Sequence, residues 1–514
     1  MNEEATPLPL VMPPGLNSDV SRYMANMSWW DGNLVRWSET GVLEPIGGWQ
    51  KLYDISGPAN PVRDMYSWTN NSAVAYVAFG TLDKAIVRKI TDGTTWDITP
   101  SGLSTAPSGA TGFGSGSFGI GRFGLDSSNN SSGGVDTKFG YGYWTFDNWG
   151  ENLIGVHNTD GRLWQWLPSD PTTKFTIVTD APIANRLCIV TDERHVMLMG
   201  GAGNPRRVKW CAREDISDWT ATDTNSAGGF ELDTSGSILS ATKVPQGVLV
   251  LTDCDVHLIE YIGPPNYYAP RLISDETGVV SPRAVSTLPN GAVFAGQHSF
   301  WMFNGGITKI PCSVSDFVFH KGNLDEPKAC FMGINEAVQE VWFFFPAVGE
   351  VEASRFVNFH YSAEMQWWSK GILTRTAWLN PVWTSKPVLA NNLAIYEHER
   401  GWTDDGSARD VYAETGALEL SNGGVNTAVK KIFTDTLSPD DEDYSEELPY
   451  EVEFKLARAP QGSDTIYGPV VLNPRGYTTL RFKTRQLAMK ITEVTSGRWG
   501  FGKARLVVKP VGRR

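Results

Sequence analysis

The stretch MYSWTNNSAVAYVAFGTLDKAIVRKITDGTTWD, residues 65–97, carries the pattern from which the fold follows. Short runs of apolar, aromatic and β-branched residues (Met65 to Trp68, Ala73 to Phe79, Ile86 to Ile90) alternate with the turn dipeptides Asn70-Asn71 and Asp92-Gly93, and the unit closes on Trp96. Runs this short, bounded by such turns, read as strands rather than helices. Asp-Gly supplies the positive φ of a type I′ hairpin, and the Trp four residues after the Asp caps it with a large apolar face. The arrangement recurs over 143–178, where Asp160-Gly161 precedes Trp164. Further four-strand units begin near Leu187, Ile238, Val285 and Cys330, with a less regular one from Thr376 to Tyr396. Their spacing of about 40 to 50 residues is the period of β-propeller blades.

The reading is therefore all-β: a six- or seven-bladed β-propeller over 61–404, with a Gly/Ser-rich insertion at 101–135. From about residue 405 the rhythm gives way to longer strands (Val452 to Leu456, Thr479 to Thr484, Leu487 to Ile491, Ala504 to Lys509). These imply a β-sandwich-like platform domain over 405–514, which an N-terminal arm and hairpin, 1–60, joins.

Composition bounds the function. With 41% hydrophobic and 20% charged residues in 514, the chain is no disordered protein. A formal charge of −13 argues against a surface that grips a phosphate backbone all over. No apolar run approaches the roughly 18 residues of a membrane helix, so no membrane insertion is expected. The start, Met1-Asn2-Glu3-Glu4, lacks the basic and apolar regions of a signal peptide. Five scattered cysteines form neither a disulfide framework nor a zinc pattern.

Motifs that point to catalysis fail on context. GSGSFG (114–119) and GIGRFG (119–124) match G-x-G-x-x-G, but they overlap in tandem and run into LDSSNNSSGG, which cannot form the helix that a dinucleotide site requires. EHERGW (397–402) places Trp402 where a metalloprotease helix needs its second His. No nucleophile elbow or phosphate-binding loop is present. Neither catalytic residues, a cofactor nor a metal site is expected, and an enzyme reading rests on fold analogy alone.

Several stretches resemble the tail nozzle, or tail tubular protein B-like, β-propeller proteins of short-tailed bacteriophages, which are also known as packaged-DNA stabilisation proteins. They are NLVRWSETGVLEPIGGW (33–49), GFGSGSFGIGRFG (112–124), GVVSPRAVSTLPNGAVFAGQHSFWMFNGG (278–306), EVWFFFPAVGEVEASRFVNFHYSAEMQWW (340–368), IYEHERGWTDDG (395–406) and RWGFGKARLVVKPVGRR (498–514). The resemblance implies a structural protein of the virion tail, made in the host cytoplasm. It further implies six copies in a ring, an adaptor ring above, and tail fibres or spikes outside. It implies, too, that genomic DNA passes through the enclosed channel without tight binding, to be retained and then ejected. Net acidity fits a conduit that repels the polyanion. Phe113, Phe118 and Phe123, each followed by a glycine (Gly114, Gly119, Gly124), are the candidate channel-closure loop.

Charge is also unevenly distributed. Nine acids and no base occupy 435–453, whereas 475–514 hold eleven bases and one acid. Self-repulsion within each group favours a neighbour of opposite sign, and an acidic loop meeting a basic strand edge on the next copy is the heterologous contact that closes rings. Asp440, Asp441, Glu442 and Asp443 on one side, with Arg481, Lys483, Arg485 and Arg505 on the other, are the candidate ring interface. Two other classes remain open: a receptor- or glycan-binding propeller, since 20 Trp and 16 Tyr suit sugar stacking, and a propeller glycosidase.

Overall fold

The computed structural model describes residues 5–105, 141–201, 203–362, 366–420, 425–437, 448–457, 463–473 and 476–512. Seven antiparallel sheets of four strands follow one another along the chain. Blades 1 to 6 span 64–97, 144–177, 187–231, 238–274, 285–310 and 331–372. Blade 7 takes three strands from 377–398 and its outermost strand from Trp49–Asp54. The first strand of each blade touches the first strands of the blades before and after it, and that of blade 7 returns to blade 1. A closed ring of seven inner strands is a propeller.

Closure corrects one boundary of the sequence reading. Trp49–Asp54, placed with the arm, pairs antiparallel with Ala394–His398 from His398↔Trp49 to Ala394↔Asp54. The irregular last unit was one strand short because that strand lies some 340 residues upstream of its partner, beyond the reach of a local pattern. The turns differ as well. Gly93 and Gly161 both have φ of 73°, but Asp92 and Asp160 are not left-handed, so neither turn is type I′. Asp160 instead accepts a hydrogen bond from Trp164 Nε1 at 2.9 Å, which explains the four-residue spacing there.

Second strands are packed on both faces by neighbouring blades, and Ala75–Gly80, Gly247–Thr252, Gly291–Ala295 and Glu340–Phe345 are buried almost throughout. That burial removes the apolar–polar alternation of a one-sided sheet. Two six-stranded sheets form the platform. The first orders Val35–Trp37, Leu43–Pro45, Gly500–Gly512, Asn426–Leu437 and Tyr477–Thr484, with Thr6–Leu10 against Gly500–Gly512. The second orders Trp29–Asn33, Tyr412–Thr415, Gln486–Glu493, Tyr450–Ala457 and Thr465–Val471, with Leu418–Glu419 against Gln486–Glu493. Their facing sides bury Trp29, Trp37, Tyr450, Phe454, Trp499 and Phe501 in one core. Among the described residues no helix is long and apolar enough to cross a membrane.

Candidate functional site

The inner strands of blades 1, 2, 5, 6 and 7 line an axial cavity of about 230 Å³, below the roughly 300–1,000 Å³ of small-molecule sites. Arg283, which leads into the first strand of blade 5, is one of its lining residues. Its guanidinium donates to the carbonyls of Arg63 and Lys328 and, at 3.0 Å, of Thr376, joining blade 1 to the segments entering blades 6 and 7. The same guanidinium lies over the Phe331 ring, 5.4 Å from its centroid. Beside it, burial pushes the Asp64 carboxyl up to about 6, against the pull of Arg283, while Oδ2 accepts from the Trp144 amide at 3.0 Å. Arg63 makes a two-point pair with Glu352 at 2.7 and 2.5 Å. The polar groups of the cavity thus largely satisfy one another. Hydrolysis of a glycoside by two carboxylates needs a facing pair, and the cavity lining contains Asp64 alone.

A second cluster lies where propeller meets platform. Arg36, buried in the first platform sheet, donates to Glu340 at 3.0 Å and to Glu399 at 3.0 and 2.6 Å. Although burial opposes it, the two carboxylates hold Arg36 above its ordinary pKa; burial pushes Glu340 up despite Arg36. His398 accepts from Arg375 Nε at 2.9 Å and stacks on Trp49 with centroids 5.3 Å apart. Burial, then Arg375 and Arg409, hold that imidazole neutral, well below its usual range. Glu397 pairs with Arg400 at 2.8 Å. The acids and histidine of EHERGW therefore take three separate partners, and among the described residues no group of three or more His, Cys, Asp or Glu is placed to hold a metal ion. Arg36, Glu340 and Arg283 carried no signal in the sequence: the first two are single charged residues in apolar strands, and Arg283 lies in the turn that leads into one.

Of the candidate ring-interface residues, Arg481, Lys483 and Arg505 are exposed on one outer face of the first platform sheet. Arg485 is the half-buried residue linking Tyr477–Thr484 of that sheet to Gln486–Glu493 of the other, at the face's edge rather than on it. Asp440, Asp441, Glu442 and Asp443 lie outside the described residues, as do Phe113, Phe118, Phe123, Gly114, Gly119 and Gly124. None of the 20 tryptophans is exposed. Burial pushes the thiols of Cys211 and Cys312 up to about 11 and about 12, which keeps them protonated and unreactive.

No family model matches the chain, and no curated protein matches it in sequence. Among solved structures it is similar to the WD40 domain of Pan2 from Neurospora crassa, at 9% identity over 68% of this chain and 95% of that one, with a TM-score of 0.39. It is also similar to YCF48 from Cyanidioschyzon merolae, at 7% identity over 68% and 98%, with a TM-score of 0.40. The propeller assignment rests on the closed ring of inner strands; these alignments carry no argument about function.

Proposed function

We propose that this protein is a structural component of a short-tailed bacteriophage tail, several copies of which form a ring around the channel that retains and then releases the genome. The observation that carries the reading is the joint between a filled propeller and a platform built from both ends of the chain. A cavity of about 230 Å³, with Arg283 bridging blades in its lining, admits no nucleic acid duplex, so a conduit has to lie between copies. The platform supplies a rigid body to build such a ring. It is locked to blade 6 by Leu16 N to Trp368 O at 2.8 Å and Ile372 N to Asn33 Oδ1 at 2.8 Å, and to blades 6 and 7 by Arg36. The buried tryptophans fill blades and platform rather than offering stacking surfaces for sugars, which favours the structural reading over the glycan-binding one. The adaptor and fibre partners belong to the same proposal and rest on the resemblance of sequence. Mass measurement of the purified chain by light scattering tests it. Particles at a fixed multiple of 56.5 kDa, six being the expected number, are the predicted result; a monomer at all concentrations would overturn it.

A further inference from the structure

Direct pairing across the first platform sheet defines one exposed surface. Phe433 is opposite Tyr477 and Arg505, Lys431 is opposite Thr479 and Val507, and Ala428 is opposite Lys483 and Lys509. Paired residues share a face, so Lys431, Arg481, Lys483, Lys503, Arg505 and Lys509 stand together on the outer side. None of the six has a carboxylate within 4 Å among the described residues, and Asp435 is the acid that shares their strands there. The other platform sheet behaves differently: its Lys455 meets Glu414 at 2.5 Å, and Arg22 bonds both Glu414 and Asp464. Cations gathered on one face repel one another. Their arrangement is also regular. Lys483 and Lys509 flank Ala428 two strands apart, about 10 Å, and successive cations on one strand recur at i and i+2, about 7 Å. Beside these cations, Phe433 on the middle strand and Tyr477 on the strand of Arg481 and Lys483 are 40% and 46% exposed with ring centroids 5.6 Å apart, and Lys431 Nζ sits 3.7 Å from the Tyr477 ring centre.

We propose that this face binds the phosphate backbone of duplex DNA without regard to sequence. Two rows of cations about 10 Å apart approach the spacing of phosphates across a groove about 12 Å wide, and the aromatic pair beside them offers apolar contact to the sugars. The rest of the chain is acidic, with the net charge of −13 including these cations, so this face contrasts in sign with the remainder and attracts a polyanion. Phosphate contact is strongly salt-dependent, because each neutralised phosphate releases counterions. Such a surface holds DNA in dilute salt and lets it move at higher ionic strength. The inference stands on the face itself and does not require the ring.

Fluorescence anisotropy of the full chain with a labelled duplex of mixed sequence tests it. With six contacts, affinity should fall about a thousandfold between about 50 and 200 mM salt. The triple variant Arg481→Ala, Lys483→Ala, Arg505→Ala should bind more weakly and lower the salt slope by about 3. Changing Lys174 and Lys209, exposed on the propeller, to Ala should alter neither. Circular dichroism and light scattering on each variant report fold and mass. Absence of binding at about 50 mM salt, or an equal loss in the propeller variant, overturns the proposal. A triple variant that dissociates into smaller particles with DNA binding unchanged assigns the face to a second copy of the chain and overturns it too. Rings that fail to bind DNA remove this inference and leave the ring reading standing; DNA binding by a monomer does the reverse.

Discussion

Arg283 is the residue on which the propeller axis turns. Three backbone carbonyls from separate segments converge on one guanidinium, and its Nε is buried without a partner. Arg283→Leu strands those carbonyls and leaves Asp64 without the stronger of its two balancing cations, Arg283 and Arg63. The expected cost is about 3 kcal/mol or more, read as a lower urea midpoint at unchanged slope; an unchanged midpoint would show that the plug is dispensable. His157 gives a pH signature. It is buried against Trp144, Nδ1 bonds Thr159 Oγ1 at 2.8 Å, and burial pushes it from 6.5 down to about 4. Its folded pKa is depressed, so its contribution is full above pH 6.5 and is lost as pH falls towards 4, when the unfolded chain takes up a proton that the folded chain refuses. Asp64, raised to about 6, works with the opposite sign: the fold holds its proton more tightly and gains as pH falls through 6 towards 3.8. Urea midpoints across this range should therefore decline less steeply in His157→Gln than in the parent protein. Parallel curves would mean that His157 titrates alike folded and unfolded.

Blades meet so closely that single atoms decide their fit. At Gly333, on the inner strand of blade 6, a Cβ would lie 2.1 Å from the ring of Trp378 on the inner strand of blade 7. Gly333→Ala should cost about 1–3 kcal/mol by overpacking, measured by thermal or urea unfolding, whereas Gly306→Ala, with nothing within 4 Å of its Cβ, should cost far less. Equal losses would refute the close approach. The closing strand makes a stronger prediction. A fragment of 61–404 lacks Trp49–Asp54, which leaves the Ala394–His398 edge unpaired, and it should bind an apolar dye and be cleaved near blade 7 faster than the full chain. Protection equal to that of the full chain would mean that closure is unnecessary. These elements show what the sequence could and could not reveal. Blades 1 and 2 were legible because Asp-Gly turns and short apolar runs are local signals. The pairing of residue 49 with residue 398 was not, because no local rule links them. The outer platform face was half legible: eleven bases in the last 40 residues marked its charge, but only the register of three strands brings Lys431 and Arg505 to the same side. The ionic joint at Arg36 was hidden, since its partners Glu340 and Glu399 lie 304 and 363 residues away in sequence.

The whole molecule joins a propeller filled along its axis to a two-sheet platform. Its charge divides in the same way, with a cationic face on one platform sheet that has no ion pair among the described residues, and an acidic remainder. Neither body alone is a conduit. If copies surround a channel, the opening lies between them, and each propeller stays closed at Arg283. Electron microscopy of the purified full chain, with class averages resolved well enough to see blades, is the most direct measurement. The account predicts rings with one central opening, bounded by several seven-bladed propellers that show no hole of their own. Isolated monomers, or rings whose only openings run along the propeller axes, would contradict it.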